Sequence, residues 1–407
     1  MDWLVIVFLI YMFIAFYFSF LFLMLHLMHR KELYEYVKIN PKDAPKISAI
    51  IPAYNEENNI EGTIQALLNL KYPKEKLEII VIDDGSTDNT FQIASKFKNK
   101  GVIILRKNNS GKANSINFGI SKAKNDFIAV IDADSSAEPD SLIKMVGFFK
   151  DKKIAAVTSS ILVKNNKKPI ERFQQIEYSM MAWNRKLLDF MDCVYVTPGP
   201  LSVYRKSALI EVGGFDSKNS TEDIEITWNL LSHSYKVKMC LAAKTKTTVP
   251  DKFKQWWHQR LRWDIGGNQT IWKYRRFILK DSKNMLGFFV IPFFIMSLFF
   301  GLLGVIVFSA LFIRNLIYYF IVSSYKVNAN IPLLSFSELH ITPTVLNYLG
   351  LVLVVLGFVM ISMCMKSMNH KKENIFNLIF YGLFYLMAYP FVLLHSCYKL
   401  AIRDIKW

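Results

Sequence analysis

Three short stretches of this sequence gather oxygen-bearing side chains directly behind apolar runs. They are PAYNEE at 52–57, DDGSTD at 83–88 and DADSS at 132–136. In DDGSTD, Asp84 can accept from a base N–H or a ribose hydroxyl. Gly85 permits a tight turn, and Ser86 to Asp88 suit the cap of the next helix. In DADSS, Asp132 and Asp134 alternate across Ala133, so an extended chain points both carboxylates the same way. Two such carboxylates repel unless a cation sits between or beside them. Mg2+ and Mn2+ take oxygen ligands and bridge to substrate phosphates. Lys112, in NSGKANSIN (109–117), follows a glycine and starts a helix. Backbone N–H groups and an ammonium there suit a phosphate, although a solvated lysine at a helix start reads the same way. Glu222 and Asp223 stand in STEDIEITW (220–228), which also has the form of a helix N-cap with an acidic first turn.

These clusters need elements to present them. ISAII (47–51), ending at Pro52, LEIIVI (77–82), 102–105 and FIAVI (127–131) read as short buried strands. Between them, 57–70, 87–97 and 110–123 have helical character. Strands alternating with helices imply a parallel α/β sheet with crossover connections. Near-continuous apolar strands are what a sheet covered on both faces requires. Ligands of such sheets bind beyond the carboxyl ends of the strands, where the three clusters stand.

The rest of the chain has a different composition. Of 407 residues, 52% are hydrophobic, and the apolar ones gather at both ends. Four windows lack Lys, Arg, Asp and Glu: 3–28, 284–313, 339–365 and 374–398. Each is at least as long as the ~20 residues that span a bilayer. The first reads as an uncleaved anchor. Arg30 and Lys31 follow it, and Lys280 and Lys283 precede the second. Positive-inside reasoning puts the middle of the chain in the cytoplasm. Three later spans would leave Lys399, Arg403 and Lys406 outside, against that rule, so the Pro390 segment is a candidate for a re-entrant or interfacial course. The expected organisation is an N-terminal span (1–29), a linker (30–46), a cytoplasmic domain (47–270) and a C-terminal membrane domain (284–407). The net charge of +17 is scattered, with no dense basic tract and no nucleic-acid motif. It suits anionic substrates at an anionic leaflet. The four cysteines show neither paired nor zinc spacing and read as free thiols. His26, His340 and His395 lie in apolar segments and read as packed or interfacial.

PAYNE, DDGSTD, GKANSIN, DADS, STED and QRLRW occur in an order that resembles the membrane-embedded family-2 glycosyltransferases. These are the processive synthases of cellulose, chitin, hyaluronan and poly-N-acetylglucosamine. The resemblance covers about 47–270 and the arrangement of spans. It implies a GT-A nucleotide-diphosphosugar transferase domain, α/β, with transmembrane helices at both ends. It also implies a UDP-sugar donor. Ala53, Tyr54, Glu56 and Asp84 would surround the uracil and ribose, and Lys112 and Asp132 the nucleotide. Asp134, with Asp132, would hold Mg2+ or Mn2+. Asp223 would be the base, with Glu222 the alternative or a supporting carboxylate. VTPGPLSVYRKSAL (196–209) resembles the acceptor-side segment, with Gly199 allowing close approach to a sugar and Arg205 organising the loop. Its GPLSVYR string is nearest hyaluronan and chitin synthases, whereas Thr221-Glu222-Asp223 is nearer poly-N-acetylglucosamine and cellulose synthases. The product sugar therefore stays open.

Two enzyme readings follow: extension of a β-linked polysaccharide that crosses the membrane, or single addition of a sugar to a membrane lipid. Accessory subunits and oligomeric state are not encoded in any motif. A protein that only bound nucleotide would be expected to lose the acidic set, and all of it is present. In WWHQRLRWDIGG (256–267), helical spacing puts Gln259, Arg262 and Trp263 on one face, with Trp256 a turn earlier. Arg262 would neutralise a diphosphate and Trp263 would stack on the acceptor sugar. Trp257 and Arg260 would meet the membrane surface.

Overall fold

The computed structural model describes residues 3–280, 284–331, 345–368 and 374–402. The first apolar run is α1 (Trp3–His29), and the sheet begins with β1 (Ile47–Ala53), buried over its whole length. α2 (Ile60–Leu68), β2 (Leu77–Asp83), α3 (Thr90–Ser95), β3 (Ile103–Arg106), α4 (Lys112–Lys122) and β4 (Phe127–Val130) follow in the expected alternation. β1 pairs in parallel with β2 and β4, and β2 with β3. Alternate residues of these strands feed a core on each face. Ile50, Ile80 and Ile82 join Ile116 and Trp183, while Ala49, Ile51 and Val81 join Ile60, Ile64 and Leu67. β1 does not end at Pro52. β4 pairs with it only as far as Ile50, so the proline lies past that ladder.

The second half departs from an all-parallel sheet. β5 (Ser136–Ala137), α5 (Ser141–Val146), β6 (Ile154–Val163), α6 (Pro169–Asp189), β7 (Ser202–Arg205), α7 (Lys206–Glu211), α8 (Glu222–Ser232) and β8 (Lys236–Thr247) follow. They complete an eight-stranded sheet in the order β3-β2-β1-β4-β7-β6-β8-β5. β7 runs antiparallel to β4 and β6, and β5 to β8. A four-residue strand such as SVYR carries no pattern that reveals its direction, so the mixed sheet replaces the parallel one that the first half implies.

After α9 (Phe253–Tyr274) come a π-helical turn (Leu286–Val290), α10 (Ile291–Asn328) and α11 (Val345–Ser367). α12 (Ile375–Phe380), a second π-helical turn (Tyr381–Tyr385) and α13 (Tyr389–Ala401) complete the described chain. Among the described residues, four helical stretches are long and apolar enough to cross a membrane: Ile6–His29, Leu286–Asn328, Tyr348–Ser367 and Ile375–Ala401. The second continues beyond the uncharged window because Arg314 is exposed and does not interrupt it. Pro390 falls in the first turn of α13, where a proline costs no helical hydrogen bond. The helical stretch Ile375–Ala401 around Pro390 is long and apolar enough to span. Lys283, residues 339–344 of the third window (His340 among them), Arg403 and Lys406 lie outside the described residues.

Candidate active site

The strand ends open onto a cavity of about 670 Å³. It is lined by Ala53, Tyr54 and Glu56 after β1, Asp84 after β2, and Asp132 and Asp134 after β4. Lys112, Gly199, Glu222 and Asp223 add to the floor, and Gln259, Arg262 and Trp263 of α9 close it above. The fold thus brings every residue that the sequence assigned to the nucleotide, the metal, the base or the acceptor and diphosphate to one cavity.

The two aspartates of DDGSTD divide their work. Asp83 is buried, pairs with Arg106 Nε at 3.0 Å and accepts from Ser86 N at 3.3 Å. Asp84 faces the cavity, accepts from Ser110 N (3.0 Å) and Gly111 N (2.8 Å), and pairs with Lys107. Gly85 has φ +75°, and a Cβ there would meet Asn109 N at 2.9 Å, so the turn requires glycine. Ser86 and Thr87 do not cap the next helix, which starts only at Thr90. They bind Asn55 instead: Asn55 N donates to Ser86 Oγ, and Thr87 N to Asn55 Oδ1. The loops after β1 and β2 are stitched together. Glu56 lines the result, and burial raises its pKa.

Asp132 and Asp134 sit in a turn, with Ser135 N donating to Asp132 O at 3.0 Å. Their shared direction comes from that turn and not from extended alternation. Hydroxyls of Ser135 (3.0 Å) and Thr247 (3.1 Å) fix Asp134 Oδ1. Burial raises the Asp134 pKa, and the charge of Asp132 raises it further. Lys112 Nζ lies 2.7 Å from Asp132 and 2.8 Å from Glu222. Burial lowers the Lys112 pKa, but these two carboxylates outweigh it and hold the ammonium charged. A Cβ on Gly199 would come within 2.5 Å of Asp132 Oδ1 and 2.7 Å of Lys112 Nζ. Only glycine leaves room for that pair. Arg205 stands apart from the cavity, donating to Phe149 O (3.0 Å) and Ile154 O (3.3 Å) rather than organising the 196–200 loop. Tyr204 does that, donating to Thr197 Oγ1 at 2.8 Å.

Thr221 holds the N-cap position of α8, yet its side chain makes no cap bond. Its hydroxyl turns to Asn219 Oδ1 instead. α9 holds this segment: Ser220 N donates to Gln269 Oε1 (2.9 Å), and Arg262 Nη1 to Ser220 O (3.1 Å). Gly266 lets the helix close on it, since a Cβ there would clash with Thr221 Oγ1. Glu222 and Asp223 are thereby held under Arg262. Burial raises the Glu222 pKa, but the Lys112 ammonium overrides it and lowers the net value. Asp223 is pushed up to about 6, first by burial and then by the Glu222 charge.

The other face of α9 corrects the sequence reading. Arg260 meets no lipid surface; it is 1% exposed. Its Nε donates to Glu177 Oε1 of α6 at 2.9 Å, its Nη2 pairs with Glu177 Oε2, and its Nη1 reaches Gln259 Oε1. Tyr385 donates to the same carboxylate at 2.6 Å, and Tyr389 also bonds it. The guanidinium lies 4.2 Å from the Trp263 ring. Trp256 is fully buried in this cluster, away from the cavity face to which spacing assigned it. Trp257 Nε1 donates to His395 Nδ1 at 3.1 Å, and Trp183 Nε1 to His26 Nδ1 at 3.1 Å. Both histidines are packing partners. α6 also brings Tyr178 and Arg185 to the cavity, which sequence reasoning missed. The available signal was the run of charged and amide side chains along that helix, Glu171, Gln174, Gln175, Glu177 and Arg185 among them.

Residues 48–213 match the sequence profile of the family described as Glycosyl transferase family 2. A probable glycosyltransferase, YdaM of Bacillus subtilis, is 30% identical over 390 residues, which is 90% of this chain and 87% of that protein. The chain belongs to glycosyltransferase family 2. Among other relatives of this family-2 glycosyltransferase, the poly-beta-1,6-N-acetyl-D-glucosamine synthase of Staphylococcus aureus is 35% identical over 237 residues. That alignment spans 57% of each chain. A mannosyltransferase from Pyrobaculum calidifontis, solved with GDP-Man and Mn2+, has a similar fold, with a TM-score of 0.55 and 16% identity over 97% of this chain and 99% of that one. The chain thus has a GT-A fold, with candidate membrane-spanning helices at both of its ends.

Proposed function

We propose that this glycosyltransferase moves a sugar, with inversion, from a UDP-sugar to the growing end of a β-linked polysaccharide. UDP-GlcNAc or UDP-Glc is the donor. The product crosses the membrane through the enzyme's own spans, and the catalytic domain faces the cytoplasm. The observation that carries this is Asp223: a carboxylate with its pKa pushed up to about 6 in the same cavity as Asp132 and Asp134. The relative named as a poly-N-acetylglucosamine synthase supports a polymer product.

A divalent cation fits the donor end. The charge of Asp132 raises the Asp134 pKa, a repulsion that a cation relieves. Among the described residues there is no group of three or more metal-binding side chains, which suits Mg2+ or Mn2+, held by one or two carboxylates with substrate phosphates completing the shell. Asp134 and Asp132 would hold the ion, which would stabilise the departing diphosphate. Arg262 and Lys112 add positive charge to the same region. Tyr54, Glu56, Asp84 and Ala53 frame the nucleoside. The acceptor hydroxyl oxygen attacks the anomeric carbon opposite the diphosphate, and the carbon–oxygen bond to UDP breaks with its electron pair leaving on UDP. Asp223 takes the hydroxyl proton. Trp263 and Gln259 cover the acceptor sugar, and Gly199 lets it approach the floor.

The test gives membranes containing the protein radiolabelled UDP-GlcNAc or UDP-Glc with Mg2+ or Mn2+. High-molecular-mass product is expected, and chelation with EDTA abolishes it. Label confined to the organic phase would mean that the acceptor is a membrane lipid. No turnover with any UDP-sugar would overturn the reading.

A further inference from the structure

Arg185 lies on α6, lines the cavity and is 4% exposed. Its Nε–H has no hydrogen-bond partner. The charge of Asp223 acts on it, yet among the described residues no carboxylate forms an ion pair with it. A guanidinium stays charged even when burial pulls its pKa down, as it does here. Burying such a charge without a counter-ion is costly. The same fold satisfies another buried guanidinium: Arg260 is held by Glu177, Gln259 and Tyr389. Arg185 therefore stands out, among the described residues, as a buried cation without a carboxylate counter-ion.

Its position narrows that partner. Tyr195, which also lines the cavity, packs its ring edge-on against Phe294 of α10 at 5.0 Å. Through Tyr195 this end of the cavity adjoins one candidate membrane span. Lys112 is engaged with Asp132 and Glu222, whereas the groups that act on Arg185 are Tyr195, Asp223 and Tyr178, with neither carboxylate of the 132–134 turn among them. Arg185 thus belongs to the acceptor end.

We propose that Arg185 binds a phosphate ester carried by the first acceptor, so that the enzyme starts its polymer on a phosphorylated sugar whose free hydroxyl reaches Asp223. This rests on the transfer reaction proposed above. A guanidinium fork matches phosphate oxygens in bidentate geometry. The phosphate does not react. The hydroxyl forms the new bond to the anomeric carbon, its proton goes to Asp223, and UDP leaves. The phosphate belongs either to a free sugar phosphate or to a lipid-linked one, and both present the same group to Arg185.

The test is calorimetric binding to the full-length protein in detergent, saturated with UDP so that the donor site is filled. The probes are N-acetylglucosamine 1-phosphate, its farnesyl ester and the neutral methyl β-N-acetylglucosaminide. At least one phosphorylated probe is expected to bind tenfold or more tightly than the neutral one. Arg185→Gln removes that advantage, leaves the neutral probe and UDP unchanged, and Arg185→Lys keeps part of it. Tighter binding of the farnesyl ester than of the free phosphate assigns the lipid-linked source; equal binding assigns the soluble one. Equal affinity for phosphorylated and neutral probes overturns the proposal, as does a preference that survives Arg185→Gln. Should Arg185→Gln fail to bind UDP, Arg185→Lys carries the comparison. Because binding needs no turnover, a wild-type protein that selects the phosphate but transfers no sugar overturns the proposed reaction and not the phosphate site.

Discussion

The two faces of α9 differ in what they touch. One face turns Gln259, Arg262 and Trp263 into the cavity. The other buries Trp256, Trp257 and Arg260 against α6 and the segment 375–401. Side chains of the first face keep groups free for a ligand. Those of the second are saturated by neighbours, with Glu177 alone accepting from Arg260, Tyr385 and Tyr389. A charge that is already paired is architecture, and a charge facing open volume is chemistry. The contrast predicts that changes around the cavity cost turnover, while changes behind α9 cost stability.

The strongest way to sharpen it is Asp223→Asn. Loss of a general base lowers kcat by about 10² to 10⁴, and the folded protein should still bind UDP in a calorimetric titration. Wild-type turnover in this variant would remove Asp223 as the base. The pH profile supplies the matching signature. A base must be ionised, and Asp223 titrates near 6, so kcat/KM should rise with pH through that region and level off above it. Asp223→Asn should abolish this limb.

Behind α9, Glu177→Ala strands the Arg260 charge in a buried site. Breaking such a pair costs roughly 3–5 kcal/mol. Thermal unfolding of the full chain in detergent reads this loss, and an unchanged unfolding temperature would break the comparison. Gly199→Ala is a smaller intrusion on the cavity side. Its Cβ must displace Asp132 or Lys112, and overpacking of this kind costs about 1–3 kcal/mol. Weaker donor binding is expected, with the unfolding temperature lowered less than in Glu177→Ala. Least is expected of Trp257→Phe. It forfeits one hydrogen bond to His395, worth about 1 kcal/mol of stability, with transfer rates intact.

The sequence carried the floor of this site well, for a physical reason. In the first half each short apolar strand is followed directly by the side chains it presents, so Asp84, Asp132 and Lys112 could be placed from local order. Glu222 and Asp223 also emerged from a recognisable string. What stayed hidden depends on contacts distant in sequence. Arg260 looked like a headgroup ligand because nothing near it in the chain announces Glu177, 83 residues away, or Tyr389, 129 residues away. Arg185 was missed because its meaning lies in lacking a partner, which only the packed structure reveals. The direction of β7 belongs to the same class, since four residues cannot record which neighbours they will join.

The buried side of α9 also decides where one part of this molecule stops and the next begins. A cut between 270 and 284 looks natural along the chain, with a soluble catalytic piece on one side and apolar helices on the other. Such a fragment would strip the Tyr385 and Tyr389 hydroxyls from Glu177 and bare the indole of Trp256 to water. The border runs lengthwise down a single helix, and the cavity shares a wall with the apolar helices instead of standing on them.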